Sequence, residues 1–170
     1  MYDTLAASGG VALAATQIGV GLRIFVYDCP EDRGQSARHR GVVVNPVLEK
    51  SEIPSGSPHP DEHREGCLSA PGVTFPIIRA DWARVTGVNV EGKNVDIQGH
   101  GLIARMLQHE TAHLEGVMYL DQLGAPYSDH AQRSIGSNGW GTPGLSWTPG
   151  VDPNPFDGLR IALAPAEPSN

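Results

Sequence analysis

The five residues His109-Glu110-Thr111-Ala112-His113 constrain this chain more than any other feature. On a helix the two histidines stand at i and i+4, one turn apart on one face, where they can grip one metal ion. Glu110 lies between them and can serve a water activated by that ion. The surrounding pattern predicts a helix. Leu102, Ile103, Met106, Leu107, His109, Glu110, His113 and Leu114 recur at three- and four-residue spacings, Gly101 and Gly116 bracket the run, and no proline interrupts it. Two histidines and a glutamate on the apolar stripe of a buried helix are costly unless something compensates them, and a metal is the obvious compensation. The competing reading is a chance match on a solvated helix face. Alone the pattern is moderately specific, so the rest of the chain decides.

A catalytic site of this kind takes three protein ligands and leaves one position for water. One peptidase pattern takes its third ligand from a histidine three residues after Gly116, but Tyr119 stands there. A glutamate on a later helix is the other peptidase solution, and the Gly- and Pro-rich chain after residue 135 predicts no helix to hold one. His130 is isolated. Upstream, Cys67 in Glu65-Gly66-Cys67-Leu68-Ser69 is the best candidate, because a thiolate is a strong ligand for a borderline metal. A Cys-His-His set leaves a net positive charge on a divalent complex, which still draws the pKa of a bound water toward neutrality. The bland alternative for Cys67 is a buried thiol in a turn. Cys29, at the end of a strand pattern, is read that way.

The remaining chain reads as one domain. Residues 1–8 are the last turns of a helix stopped by Gly9-Gly10. On composition alone Gly9–Gly21 is a flexible turn, and no Lys-Ser/Thr follows to make it a phosphate loop. Leu22–Asp28 and Gly41–Glu49 are strand patterns, the second placed at an edge or a bulge by Pro46. Residues 30–40 and 53–64 read as surface loops, and His59 and His63 in the latter as solvated rather than ligating. Ala83–Val90 and Asn94–Gln98 predict a hairpin across Glu91-Gly92-Lys93. Residues 136–158 are too rich in Gly and Pro for regular structure, yet Trp140, Trp147 and Phe156 predict an extension packed on the domain. The end, 159–170, is expected to be loose. The net charge of −7 argues against a grip on nucleic-acid phosphates or anionic membranes. Two cysteines, no secretory leader and no apolar run of span length point to the cytoplasm.

Three separated motifs, in order, resemble the peptide deformylase family. They are Gly10-Val-Ala-Leu-Ala-Ala-Thr-Gln17-Ile-Gly19, Glu65-Gly-Cys-Leu-Ser69 and Gln108-His-Glu-Thr-Ala-His-Leu114. The resemblance runs to about residue 158, and the tail resembles the actinobacterial branch. It implies an α+β fold, with antiparallel strands packed around the metal-binding helix. It implies removal of the formyl group from the formylmethionine of new bacterial polypeptides. Cys67, His109 and His113 would hold one divalent ion, Fe²⁺ first, with Zn²⁺ or Ni²⁺ as substitutes. Glu110 would move the proton, while the Gln17 side chain and the Leu68 backbone N–H would stabilise the oxyanion. Gly10, Ala12, Leu13, Glu65 and Gly66 would line the path of a peptide lying strand-fashion. The partners implied are formylmethionyl peptides and nascent chains near the ribosome. Ala12 replaces a family glycine and Ala112 a common aspartate. The family's N-terminal strand and most of its first helix are expected ahead of the point where this sequence starts. A zinc peptidase, or a shortened homologue without turnover, are the alternatives.

Overall fold

The computed structural model describes residues 1–31 and 37–157. Helix α1 (Tyr2–Ser8) leads into β1 (Ala12–Ala14), a single 3-10 turn (Ala15–Ile18) and β2 (Ile24–Pro30). Strands β3 (Arg38–Lys50), β4 (Arg64–Cys67), β5 (Ala70–Pro76), β6 (Trp82–Val88) and β7 (Asn94–His100) follow. Helix α2 (Gly101–Leu114), a 3-10 turn (Tyr119–Gln122) and α3 (Tyr127–Asn138) complete the described elements. Five strands form one sheet in the order β1-β2-β3-β6-β7, and β4-β5 form a separate hairpin. Every pairing is antiparallel. The architecture is the expected one: antiparallel strands around a central helix.

Helix α2 forms where the three/four spacing places it. Strand β7 passes into it with no intervening loop, and Gly101 makes that corner at φ +53°, a conformation that disfavours other residues. Its apolar stripe (Leu102, Ile103, Met106, Leu107) packs on Phe25, Val43, Ala83 and Val85 of the large sheet. Burying a side chain of this size contributes about 1.5–3 kcal/mol. A second, smaller core sits on the other side, where Tyr119, Leu120, Ile77 and Ala131 close around Cys67 and Ala70. The Gln108 side chain fastens α2 to the β5–β6 connection. Its Oε1 accepts from the Ala80 N–H at 3.0 Å, and its Nε2 donates to the Ala80 carbonyl at 3.0 Å.

Several expectations change. The run Gly9–Gly21 is not a flexible turn: it holds β1, paired with β2 at Ala12↔Tyr27 through Ala14↔Phe25, and the first 3-10 turn. Tertiary pairing overrides the composition there. Pro46 does lie at a bulge, between Val44 and Val47, but β3 is an interior strand rather than an edge. Arg38–Arg40, read as loop, extend β3, and Pro30 ends β2. Helix α3 reaches Asn138, three residues into the segment read as irregular. Beyond it Trp140 packs on the smaller core, and Trp147 meets Phe156 edge to face. The tail 159–170 lies outside the described residues. Ala12 takes no left-handed backbone, so its methyl group carries no strain.

Gly87 illustrates how closely β3 and β6 approach. A Cβ there would meet the Val44 carbonyl oxygen and Val43 Cγ1, each at 2.7 Å. Backbone cannot yield as a flexible side chain can. Gly87→Ala is therefore expected to destabilise the fold by about 1–3 kcal/mol, measured as the shift in urea midpoint at unchanged slope.

Candidate metal centre

The three residues picked out as ligands converge. The donor atoms of Cys67, His109 and His113, all buried, lie within 4.8 Å of one another. Cys67 Sγ is 3.2 Å from His113 Nε2, which is 3.1 Å from His109 Nε2. Tetrahedral coordination with metal–nitrogen and metal–sulfur bonds near 2.1 and 2.3 Å sets such donors about 3.3–3.6 Å apart. The two pairs that share His113 are near that spacing, and the third lies within 4.8 Å. Helix α2 supplies both histidines from adjacent turns, and the β4–β5 hairpin presents Cys67 opposite them.

The supports around the donors suit a metal. His109 Nδ1 lies 2.7 Å from Glu65 Oε1, which takes the ring's N–H and leaves Nε2 facing Cys67 and His113. Glu65 is itself buried and held on three sides. Arg79 grips both its carboxylate oxygens, and Arg105 Nη1 donates to Oε2 at 3.0 Å. Burial alone would raise the Glu65 pKa, but His109 and Arg79 hold it well below the usual carboxylate range. Burial likewise pushes the Cys67 thiol up, and the charge and hydrogen bonds of His109 and His113 reverse this, lowering it to about 5. Burial favours a neutral His109, yet Cys67 and Glu65 raise its pKa well above normal. Both directions favour charge separation between Cys67 and His109, and a cation held by these donors would take the place of the proton between them.

Two groups face the trio without being part of it. Glu110 is buried, and its Oε2 finds no partner among the described residues. Burial raises its pKa, His109 and His113 lower it, and Cys67 and Glu65 raise it, leaving it at about 7. Gln17 is fixed at one end by the Ala14 N–H, which donates to its Oε1 at 2.9 Å. Its Nε2 is thereby aimed at Ser69 Oγ (3.0 Å) and Cys67 Sγ (3.5 Å). A pocket opens over the site, walled by Gly10, Ala12, Gly66, Leu68 and Met106 together with Gln17, Glu65, Cys67, His109 and Glu110. A polar trio at a pocket, with an orphaned carboxylate oxygen beside it, fits a cation and a small polar ligand.

Comparison with known proteins agrees. A family model described as polypeptide deformylase matches residues 1–128. The chain belongs to that family. A peptide deformylase of Mycolicibacterium paratuberculosis is 63% identical over 156 residues, which covers 92% of this chain and 79% of the relative. One from Mycobacterium marinum is 60% identical over the same coverage. Among solved structures, the peptide deformylase of Thermus thermophilus superposes with a TM-score of 0.66 at 31% identity, covering 81% of this chain and 76% of that one. That of Legionella pneumophila gives 0.64 at 36% identity, covering 82% and 76%.

Within this deformylase-family site, two expected residues do not line the pocket of the metal centre: His113, whose Nε2 instead meets Cys67 and His109, and Leu13. Leu13 packs with Leu5 and Val26 and faces a neighbouring cavity. Glu65 lines the pocket, but its carboxylate is spent on His109, Arg79 and Arg105. Arg79 and Arg105 were not anticipated from the sequence. Arg105 carried a signal, since it precedes His109 by one helical turn and so shares its face. His59 and His63 stay outside the site, bonded to each other's segment, with the His59 N–H donating to His63 Nδ1 at 2.9 Å.

Glu65→Gln removes the charge that orients His109 and leaves two arginines underpaired. Divalent-metal affinity is expected to fall about 10–100-fold, measured by competition with a chromophoric chelator. Unchanged affinity in a folded variant would rule out the positioning role.

Proposed function

We propose that this chain is a metal-dependent hydrolase that releases formate from the N-formylmethionine at the start of newly made polypeptides. The observation that carries the reading is the buried Cys67–His109–His113 trio with an unpartnered Glu110 oxygen, Cys67, His109 and Glu110 lining one pocket. Family membership supplies the substrate class. Fe²⁺ is the ion we assign, with Zn²⁺ and Ni²⁺ as substitutes that the same donors accommodate. Among the described residues no helix is long and apolar enough to cross a membrane. With the net charge of −7, this supports action in the cytoplasm on nascent chains near the ribosome, without direct contact with nucleic acid.

Held by Cys67, His109 and His113, the cation supplies Lewis-acid chemistry, acidifying a water and polarising the formyl carbonyl. The residues do the rest. Glu110 takes a proton from the water as its oxygen attacks the formyl carbon. It returns that proton to the amine as the C–N bond breaks, leaving formate and a free N-terminus. Gln17 Nε2–H, pre-aimed by the Ala14 bond, meets the developing oxyanion together with the backbone N–H of Leu68. The pocket beside Met106 and Leu102 excludes water from one side of the substrate. The strand edge at Gly10–Ala12 gives the peptide a backbone to lie along.

Glu110→Gln is expected to bind metal as tightly as the parent and to lose about 10²–10⁴-fold in formate release from a formyl-Met tripeptide. Full activity in that variant would sink the mechanism. Gln17→Ala is expected to cost about 10²–10³-fold in kcat with little change in metal content. The base must be ionised, so kcat/KM is expected to fall as pH falls. Burial places Glu110 at about 7 in the metal-free site, and a nearby cation favours its ionised form, so the acid limb lies below that value. A pH–rate profile checks the sign. Metal affinity that survives Cys67→Ala intact would turn the assignment toward a peptidase.

A further inference from the structure

Two arginines flank the Glu65 carboxylate, and they are spent unequally. Arg79 gives Nε and Nη2 to Glu65 and Nη1 to Gln122 Oε1 at 2.6 Å, so every nitrogen of its guanidinium is engaged. Arg105 gives only Nη1, to Glu65 Oε2 at 3.0 Å and to the Ile77 carbonyl at 3.1 Å. Among the described residues its Nε and Nη2 have no hydrogen-bond partner. Neither is a sealed atom, and the side chain keeps 15% of its surface accessible. Arg105 lines the pocket of the metal centre together with Val11, Leu102 and Met106. Arg64, the other cation on that wall, turns Nε and Nη2 to Thr74. One carboxylate faces two guanidiniums, so the surplus positive charge and the unspent donors stand on Arg105, beside apolar side chains. A charge in such surroundings is unfavourable until an acceptor reaches it.

We propose that Arg105 adapts the pocket to a first side chain that ends in a strong acceptor, so that this protein deformylates peptides beginning with formylmethionine sulfoxide as well as formylmethionine. The proposal rests on the deformylase reading above and extends its substrate class. Arg105 precedes His109 by one helical turn on the same face, about 6 Å along the axis. A substrate whose formyl group meets the metal ligands lays its first side chain along α2 toward Leu102 and Met106. The sulfur, near the far end of that side chain, then comes level with Arg105. A thioether sulfur accepts hydrogen bonds weakly. Oxidation makes the same side chain polar, and its oxygen can take a charge-assisted bond from the free edge of the guanidinium. In a pocket without that donor, the sulfoxide would lose its hydration and gain nothing in return. The sulfoxide is a spectator in the reaction. Water adds to the formyl carbon, the C–N bond breaks, formate leaves, and the sulfur keeps its oxidation state.

The test measures formate release by the metal-loaded full chain from tripeptides that differ only in the first side chain: formyl-Met, formyl-Met sulfoxide and formyl-norleucine, each followed by Ala-Ser. Norleucine keeps the length and carries neither sulfur nor oxygen. The parent protein is expected to hold kcat/KM for the sulfoxide within about tenfold of that for norleucine. Arg105→Leu is expected to lower the sulfoxide-to-norleucine ratio by at least about tenfold, chiefly through KM, and to leave the methionine-to-norleucine ratio within about twofold. Ratios cancel any loss common to all peptides that follows from the altered Glu65 contact. Arg105→Lys keeps the charge without the fork, so its ratio is expected to fall between the other two, and it carries the test if the leucine variant does not fold. A parent that discriminates against the sulfoxide by more than about 100-fold, or a ratio unchanged in the folded variants, overturns the proposal. No formate from any peptide with the parent protein overturns the deformylase reading instead. Calorimetric titration of the nickel-loaded proteins with the sulfoxide and norleucine peptides then decides the pocket. A loss of affinity in Arg105→Leu confined to the sulfoxide supports the proposal, and equal changes for both peptides overturn it.

Discussion

A buried carboxylate holds the centre of this molecule together. Glu65 is nearly inaccessible to water, yet it stays ionised because Arg79, Arg105 and His109 surround it. Those partners come from three places: the segment after β5, the first half of α2 and its second half. The cluster therefore ties the β4–β5 hairpin, which carries Cys67, to the helix that carries the histidines. Removing one member would leave an uncompensated charge in the interior, which typically costs about 3–5 kcal/mol. The same cluster sets the tautomer of His109. Fold and metal geometry thus rest on one set of contacts.

Helix α2 is the other half of that arrangement. Its aliphatic face packs on the large sheet, and its polar face is buried toward the hairpin and the Tyr119 core. Neither face meets bulk water, which explains how Glu110 can be buried without a partner and have its pKa raised to about 7. The adjoining strand β1 and its 3-10 turn set the aim of Gln17. Gln17 is fixed through its own oxygen to the Ala14 N–H, so its amide nitrogen points at Ser69 Oγ and Cys67 Sγ before any substrate arrives. Preorganisation of this kind avoids reorganising dipoles during the reaction.

Much of this was legible in the sequence because it depends on local periodicity and short motifs. The three/four spacing of residues 102–114 specified α2, and the i, i+4 histidines followed from it. The hairpin across Glu91-Gly92-Lys93 and the bulge at Pro46 rested on turn and proline chemistry that acts within a few residues. The ligand role of Cys67 was favoured by elimination and by resemblance. What brings it to the site is the pairing of Gly66 with Thr74 and Cys67 with Ala70 that forms its hairpin.

Other features were decided only when distant segments met. Residues 12–14 are strand because β2 offers its edge, not because Ala-Leu-Ala prefers to be extended. The Glu65 carboxylate is paired because Arg79 and Arg105 arrive from elsewhere in the chain. The cavity beside the metal pocket needs α1, the Cys67 hairpin and the Trp147–Phe156 stretch at once. By itself the sequence determined the helix, its two histidines, the glutamate between them and the family. The tertiary structure decided which charges pair, which carboxylate is left alone and which surfaces enclose a space, because burial and electrostatic pairing depend on neighbours that sequence spacing does not encode.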